Sequence, residues 1–160
     1  MAPMAGPWHC VHDRVTGLMW EIKTENETAH FAEASYSWYD GETGVKDAGS
    51  CANGDHYYGC DTLDLVSYSR SKALCGFRDW RLPTAAELSG IMFWQAYPGE
   101  AKVINTLFPY LMRAPYWTAD RSVDAKGNPT ALTLHLGNGS EQWLSLSRVA
   151  RVMLVSGPHK

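Results

Sequence analysis

The pattern of apolar and polar residues near the start of the chain predicts extended structure. Leu18, Trp20 and Ile22 occupy alternate positions, which is typical of a strand that buries one face. Gly17 stands in the turn before them, and glycine adopts a positive φ without strain. Residues 8–23 are therefore expected to be extended, with one turn.

A polar, glycine-rich segment follows this first strand. Residues 36–39 are expected to be a short extended piece within it, and residues 40–59 a long loop. Loops of that length are uncommon unless a covalent link or a function accounts for them.

The first of two predicted helices begins near Asp61 or Thr62. Either side chain can accept a hydrogen bond from a free amide of the first turn. The positions that follow at helical spacing are Leu63, Val66, Arg70 and Leu74. Gly76 is expected to end this helix, because glycine is favoured just past a helix C-terminus.

The second helix is predicted to start at Thr84. Thr84 and Glu87 have the spacing of a capping box, in which each side chain bonds the backbone amide of the other residue. The expected buried stripe is Leu88, Ile91 and Met92. Arg81 is expected to pair with a buried carboxylate such as Asp79 or Glu21. We therefore assign structural roles to Asp79, Arg81, Thr84 and Glu87.

The last third of the chain reads as antiparallel strands. Residues 116–119 form a short strand, and leucines at 132–136 alternate with Thr and His, which predicts a half-buried strand with its histidine exposed. A hairpin turn at 137–139 leads to a return strand at 143–146. Residues 149–155 are apolar on both faces and predict one central strand.

The order of elements predicts an α+β domain, because a strand and a loop precede two helices and several antiparallel strands. We expect a single domain over residues 8–156. Residues 1–7 are expected to be a cloning or linker remnant, and residues 157–160 a tail. Residues 1–7 lack the basic and apolar segments of a signal peptide, so an export signal would have been removed.

Composition and charge narrow the class of protein. The chain has 160 residues, is 45% apolar and 19% charged, and carries a formal charge of −3. These values are typical of a globular domain and exclude a nucleic-acid partner, which would need clustered Lys and Arg. No apolar run reaches the roughly 18 residues of a membrane span, so no membrane insertion is expected.

Four cysteines leave three disulfide connectivities open. We predict a Cys51–Cys60 bridge that staples the long loop, and a Cys10–Cys75 bridge that ties the first strand to the end of the first helix. A zinc site is the alternative, but these cysteines lack the short paired spacing of structural zinc sites. We expect no metal and no cofactor.

Several stretches of the chain resemble one known family. They are residues 10–24, 36–39, Cys51 with 60–62, 75–88, 108–109 before 116–118, and 149–155. The most specific are Thr-Gly-Leu-Met-Trp-Glu at 16–21 and Cys-Gly-Phe-Arg-Asp-Trp-Arg-Leu-Pro-Thr at 75–84. The chain thus resembles the Lcl C-terminal domain family, named for the end domain of a Legionella collagen-like adhesin.

This resemblance implies an exported or surface domain of a bacterium: extracellular, at the cell surface or periplasmic. It also implies a fold similar to C-type lectins, with two helices flanking a twisted antiparallel sheet. The adhesin domain is implicated in attachment through sulfated polysaccharides and assembles as a trimer, so a homo-oligomer is one expectation.

The sequence also departs from related protein classes. The calcium-chelating Glu-Pro-Asn, Gln-Pro-Asp and Trp-Asn-Asp motifs of sugar-binding C-type lectins are absent, and Asp120, Asp124 and Asn128 are more simply read as a solvated hairpin. The Arg-Leu-Pro-Thr string also occurs in formylglycine-generating enzymes, but no cysteine follows Cys75 to carry that chemistry. No Gly-x-Ser-x-Gly motif supports Ser-His-Asp hydrolysis.

Aromatic residues close to predicted loops are the candidates for ligand contact. Trp and Tyr rings stack on the C–H faces of sugars, and nearby polar side chains can orient hydroxyl groups. The candidate ligand-binding residues are Trp94, Tyr97, Asp120, Arg121, Asn138, Gln142 and Trp143. Trp94 and Trp143 are the preferred surface positions, whereas Trp117 is expected in the core.

These observations favour a domain that recognises a glycan or a partner protein without catalysis. The main alternative is a structural subunit of a surface fibre or appendage, in which aromatic residues would fill a permanent interface. A formylglycine-generating-like or glycan-processing enzyme is a third and weaker interpretation.

Overall fold

A computed structural model describes residues 10–24, 30–51, 59–96, 108 and 110–159, with side chains of 92–96 outside that description. The strands are β1 (Cys10–His12), β2 (Met19–Glu21), β3 (Tyr36–Ser37), β4 (Pro115–Val123), β5 (Pro129–His135), β6 (Glu141–Ser145), β7 (Val149–Ala150) and β8 (Val155–Ser156). The helices are α1 (Thr62–Ser71), α2 (Ala85–Ala96) and a 3₁₀ turn at Leu74–Gly76. The predicted α+β class is confirmed.

The described strands form three small antiparallel sheets: β1–β2–β8, β3–β7 and β4–β5–β6. In the first sheet Trp20 lies opposite Val155, so the two ends of the domain meet in neighbouring strands. The turn between β1 and β2 contains Gly17 with a φ of 78°, as the sequence predicts.

The centre of the sheet β4–β5–β6, formed by β5 and the first half of β4, is buried on both faces. Neighbouring residues of a strand point to opposite faces. Trp117 packs with Leu65 of α1 in one buried cluster, whereas Tyr116 packs with Leu134 and with Leu88 of α2 in a second cluster. The sheet therefore separates two cores, and α2 covers one of them.

This double burial corrects the prediction of a half-buried strand at 132–136. Thr133 is buried together with the leucines, and its hydroxyl donates to the Gln142 carbonyl at 2.9 Å. His135 is half-buried rather than exposed, and its Nδ1 accepts from the Gly137 amide at 2.9 Å. Thr133 and His135 share the face of β5 that was expected to be exposed, and they are tolerated there because their hydrogen bonds are satisfied.

Helix α1 begins as predicted and ends earlier than predicted. The Asp61 carboxylate accepts from the Asp64 amide at 2.8 Å and caps the N-terminus. The helix ends at Ser71, not at Gly76, because Ala73 adopts a left-handed conformation with a φ of 48°. Of the predicted stripe only Val66 is buried; the other buried positions are Thr62, Leu65 and Ser69.

The apolar segment at 149–155 is central, but it is not one strand. It contributes two residues to β7 and one to β8, while Val152, Met153 and Leu154 between them are fully buried. Its backbone changes partners along its length: the Arg151 carbonyl accepts from Trp117 at 2.8 Å, and the Leu154 carbonyl accepts from Glu21 at 3.0 Å.

Both predicted disulfides, Cys10–Cys75 and Cys51–Cys60, are present. The segment expected to be a tail also packs on the domain. The His159 amide donates to the Gly17 carbonyl at 2.5 Å, and Arg81 donates to the Gly157 carbonyl at 3.0 Å. Ordered contacts thus extend three residues beyond position 156.

Candidate recognition surface

Strand β6 carries the most exposed tryptophan of those whose side chains the structure describes. Trp143 keeps 48% of its surface accessible, although the sheet in which it lies buries other aromatic residues such as Tyr116 and Trp117. In the described part of the chain β6 pairs with β5 alone and is an edge strand. Trp143 lies opposite the buried Leu132 of β5, and about half of its own surface faces solvent.

The alternation of β6 places Glu141 and Ser145 on the same face as Trp143. Both are exposed, and the Ser145 hydroxyl lies 3.0 Å from that of Ser147. The surface formed by Glu141, Trp143 and Ser145, here called the Trp143 face, combines one flat apolar group with hydrogen-bonding groups. Sequence reasoning missed Glu141 and Ser145 as neighbours of Trp143, although their spacing of two residues is the available signal.

Gln142 does not share the Trp143 face. It pairs with Thr133, Arg121 pairs with Ala131, and these two positions of β5 lie on the opposite face from Leu132. Gln142 is exposed on that opposite face. A ligand stacked on Trp143 and a ligand bound by Gln142 would therefore occupy different sides of the sheet.

Arg121 has a local structural role. Its guanidinium lies 5.1 Å from the centre of the Trp38 ring and 3.3 Å from the Asp40 carboxylate. A hydrogen bond from the Thr43 amide lowers the pKa of Asp40, and the charge of Arg121 adds to this effect. Arg121 thus links β4 to the segment after β3. It pairs with Ala131, near the start of β5, whereas Asn138 lies in the turn that follows the other end of that strand.

Asp120 and Asn138 are also engaged by the backbone. The Asp120 carboxylate accepts from the Ala85 amide at 2.9 Å, so it satisfies a free donor at the start of α2. Asn138 lies in the turn after β5 and accepts from the Ser140 amide at 2.9 Å. The candidates in and beside this sheet therefore lie in four places: Trp143 on one face, Gln142 and Arg121 on the other, Asp120 at the start of α2, and Asn138 in the turn after β5. Their contact with a ligand stays a prediction.

Two further candidates lie outside what the structure describes. Trp94 belongs to helix α2, but its side chain is not among the described ones, and Tyr97 follows the last described residue of that helix.

The capping box of α2 is present, and it corrects the predicted partner of Arg81. The Glu87 amide donates to the Thr84 hydroxyl at 3.1 Å, and the Thr84 amide donates to the Glu87 carboxylate at 2.8 Å. Arg81 binds both oxygens of Glu87 at 2.8 Å rather than pairing with Asp79 or Glu21. Burial opposes ionisation of Glu87, but the hydrogen bonds from Arg81 and Thr84 lower its pKa.

Asp79, by contrast, is exposed and fixes the C-terminal segment. Its carboxylate accepts from the Ser156 hydroxyl at 2.5 Å, and this hydrogen bond lowers its pKa. The Ser156 Oγ also lies 2.6 Å from Nε2 of His159, whose ring stacks on Phe77. The geometry differs from that of a hydrolytic triad: Asp79 bonds Ser156 and lies 3.6 Å from Nε2 of His159, the same nitrogen that Ser156 contacts, and Ser156 is fully buried.

The sequence predicted that Glu21 could be a buried carboxylate, but not that it would form a charge cluster with Lys23 and His30 at the end of β2. Glu21 is fully buried, and its carboxylate contacts the Lys23 ammonium at 3.0 Å, the His30 imidazole, and the Leu154 amide at 2.8 Å. Burial alone would raise the pKa of Glu21, but the charges of Lys23 and His30 and these hydrogen bonds lower it to about 2. Glu21 and Lys23 alternate with buried apolar residues, and such alternation predicts that the charged side chains face solvent. The periodicity of the sequence therefore does not predict this cluster.

Neither a metal site nor a membrane helix is found among the described residues. No three His, Cys, Asp or Glu side chains there are grouped to hold a metal ion. None of the helices in that part combines the length and apolar character needed to cross a membrane.

The fold and the surface together define a small α+β domain with two disulfides and an exposed aromatic edge. The chain matches the Lcl C-terminal domain over residues 9–156 and belongs to that family. No curated protein matches it. Family membership suggests an adhesin-like surface domain, and together with the disulfides it suggests an exported protein.

Proposed function

We propose that this domain recognises a glycan or a partner protein outside the cytoplasm, without catalysis, and that its fold is similar to C-type lectins. The observation that carries the proposal is the half-exposed Trp143 on the edge strand of a sheet whose centre is buried on both faces. Pairing with β5 fixes the backbone that carries the indole, so less conformational entropy is lost when a ligand stacks on it than on a residue of a free loop.

The chemistry of the Trp143 face supports a sugar as one ligand class. The indole offers an apolar plane, and the Glu141 carboxylate and Ser145 hydroxyl can bind sugar hydroxyls beside it. The absence of calcium-chelating motifs from the sequence supports binding that needs no metal. A formal charge of −3 supports a weak dependence on salt.

The test is a glycan array and a pull-down with the purified domain, repeated in EDTA and at raised salt. Trp143→Ala should weaken binding by about 1 to 3 kcal/mol, with a smaller change in stability. The matched control is Val123→Ala, which removes an exposed apolar side chain from β4. Loss of binding in EDTA would contradict the metal-free proposal, and unfolding of Trp143→Ala would remove Trp143 as a contact.

One observation favours assembly as a second candidate function. The outer edge of β6 has no partner strand in the described part of the chain, and an open edge can pair with another chain. Gel filtration distinguishes the candidates, because a permanent assembly subunit elutes as a stable oligomer. In that case Trp143→Ala should change the elution volume, whereas Val123→Ala should not.

A further inference from the structure

A cleft of about 280 Å³ lies between the β1–β2 hairpin, the first half of α2 and the C-terminal segment at Pro158. Its lining includes Leu18, Trp20 and Ile91, which are buried apolar residues of the second core cluster. An engineered apolar cavity of about 150 Å³ in another protein is large enough to bind benzene. This cleft therefore has room for an aromatic ring with a short chain attached.

Gly90 lines this cleft without a side chain. It lies inside α2, where glycine costs about 1 kcal/mol relative to alanine. Its φ is not positive, and a Cβ built on it meets no heavy atom within 4 Å. Neither backbone conformation nor packing explains this glycine. Ala86, one turn earlier on the same helix, also lines the cleft, so α2 presents small residues to it.

The charges at the cleft favour a cation. Its described lining contains two acidic residues, Asp13 and Glu87, and no lysine or arginine. Glu87 is neutralised by Arg81, whereas Asp13 accepts hydrogen bonds only from uncharged groups in the described structure, the Val15 amide at 2.9 Å and Thr16. One negative charge is thus left without a cationic partner there, and these bonds fix its position.

We propose that this cleft binds a primary ammonium group joined to an aromatic ring by a short alkyl chain. The ring lies against Trp20, Leu18 and Ile91, and the ammonium lies next to Asp13. Pockets of this kind combine an apolar lining with a few polar groups that fix orientation. The same chemistry comes from two sources, a free aryl-alkyl amine or the amino-terminal aromatic residue of a peptide. The site is separate from the Trp143 face.

The first experiment titrates the unmodified domain at pH 7 with 2-phenylethylamine and with 3-phenylpropionate, a matched ring of opposite charge, followed by NMR. The amine should bind with a Kd of about 1 mM or below and shift the Trp20 indole resonance. The carboxylate should bind at least fivefold more weakly. The proposal would be overturned if the amine and the carboxylate bound equally. It would also be overturned if neither 2-phenylethylamine nor the peptide of the second arm, described below, bound at all.

A second arm separates the two sources. The peptide Phe-Gly-Gly-amide is compared with its N-acetylated form, which lacks the ammonium. Binding of the free peptide but not of the acetylated one supports the site with a peptide source, whereas binding of 2-phenylethylamine alone supports it with a small-molecule source. Binding of the acetylated peptide as tightly as the free one would overturn the ammonium requirement.

Variants then test the cleft itself. Gly90→Leu fills the space and should weaken amine binding at least tenfold, whereas Ser89→Leu, at the neighbouring exposed position outside the lining, should not. Asp13→Asn should weaken amine binding about fivefold and should not weaken binding of the carboxylate, which no longer meets a like charge. Unchanged amine affinity in a folded Gly90→Leu protein would overturn the assignment; should that variant not fold, Gly90→Ala gives the same test with a smaller loss.

Discussion

The buried Glu21 cluster gives the sharpest prediction about stability. Glu21→Gln keeps the volume of the side chain but leaves the Lys23 ammonium, only 3% exposed, without its carboxylate. Breaking a buried ion pair from one side costs about 3 to 5 kcal/mol. We expect a loss of that size at pH 7, measured by urea unfolding followed through tryptophan fluorescence.

The pKa of Glu21 gives an independent magnitude of the same order. It falls from an ordinary value of 4.5 to about 2 in the folded protein. A difference of this size corresponds to about 3 kcal/mol. Because the folded state binds this proton less readily than the unfolded state, the stabilisation is fully present above pH 4.5 and is lost as the pH falls towards 2. Carboxyl NMR of Glu21 should show a midpoint near 2.

Two controls make this prediction refutable. Glu33→Gln makes the same chemical change at an exposed position and should alter the free energy of unfolding by less than about 0.5 kcal/mol. Adding Lys23→Met to Glu21→Gln should recover part of the loss, because the unpaired cation is removed. A Glu21 midpoint at or above 4.5, or a neutral Glu21→Gln variant, would refute the reasoning.

Three further predictions concern the disulfides and the start of α2. Thr84→Ala and Asp120→Ala should each cost about 1 kcal/mol in urea melts while the fold persists, since each leaves one helix amide without its acceptor; neutrality of both would contradict the caps. Arg81→Ala should cost about 2 kcal/mol, because Glu87 loses a two-point partner, and a neutral variant that loses ligand binding would reverse its structural assignment. Non-reducing peptide mapping should find Cys10 linked to Cys75; opening this 65-residue loop should cost about 4 kcal/mol, and free thiols would count against export.

Features governed by neighbouring residues were predictable from the sequence. The capping box at Thr84 and the turn at Gly17 depend on the conformation of four or five consecutive residues, so their side-chain chemistry identified them. The same holds for Asp61 as the cap of α1. The pairing of Cys10 with Cys75 joins distant segments, but it was predicted from the order of elements and is confirmed.

Features that depend on which segments meet were not predictable in this way. The α1 helix ends at Ser71, where the chain turns through Ala73 towards the disulfide of Cys75. The strand with Thr133 is buried on both faces because a separate core covers each side of its sheet. Alternation of apolar and polar residues in a sequence shows that one face of a strand is polar. It does not show whether hydrogen bonds to other segments allow that polar face to be buried.

The candidate sites show the same division most clearly. The sequence alone identified the family, the α+β class and Trp143 as an exposed aromatic residue. Only the tertiary structure decided that Trp143 lies on an edge strand of the described sheet and that Asp120 caps a helix. It also brought Lys23 and Glu21 together in the interior. A side chain's chemistry is set by its type, whereas its partners and exposure are set by segments that lie far away along the chain.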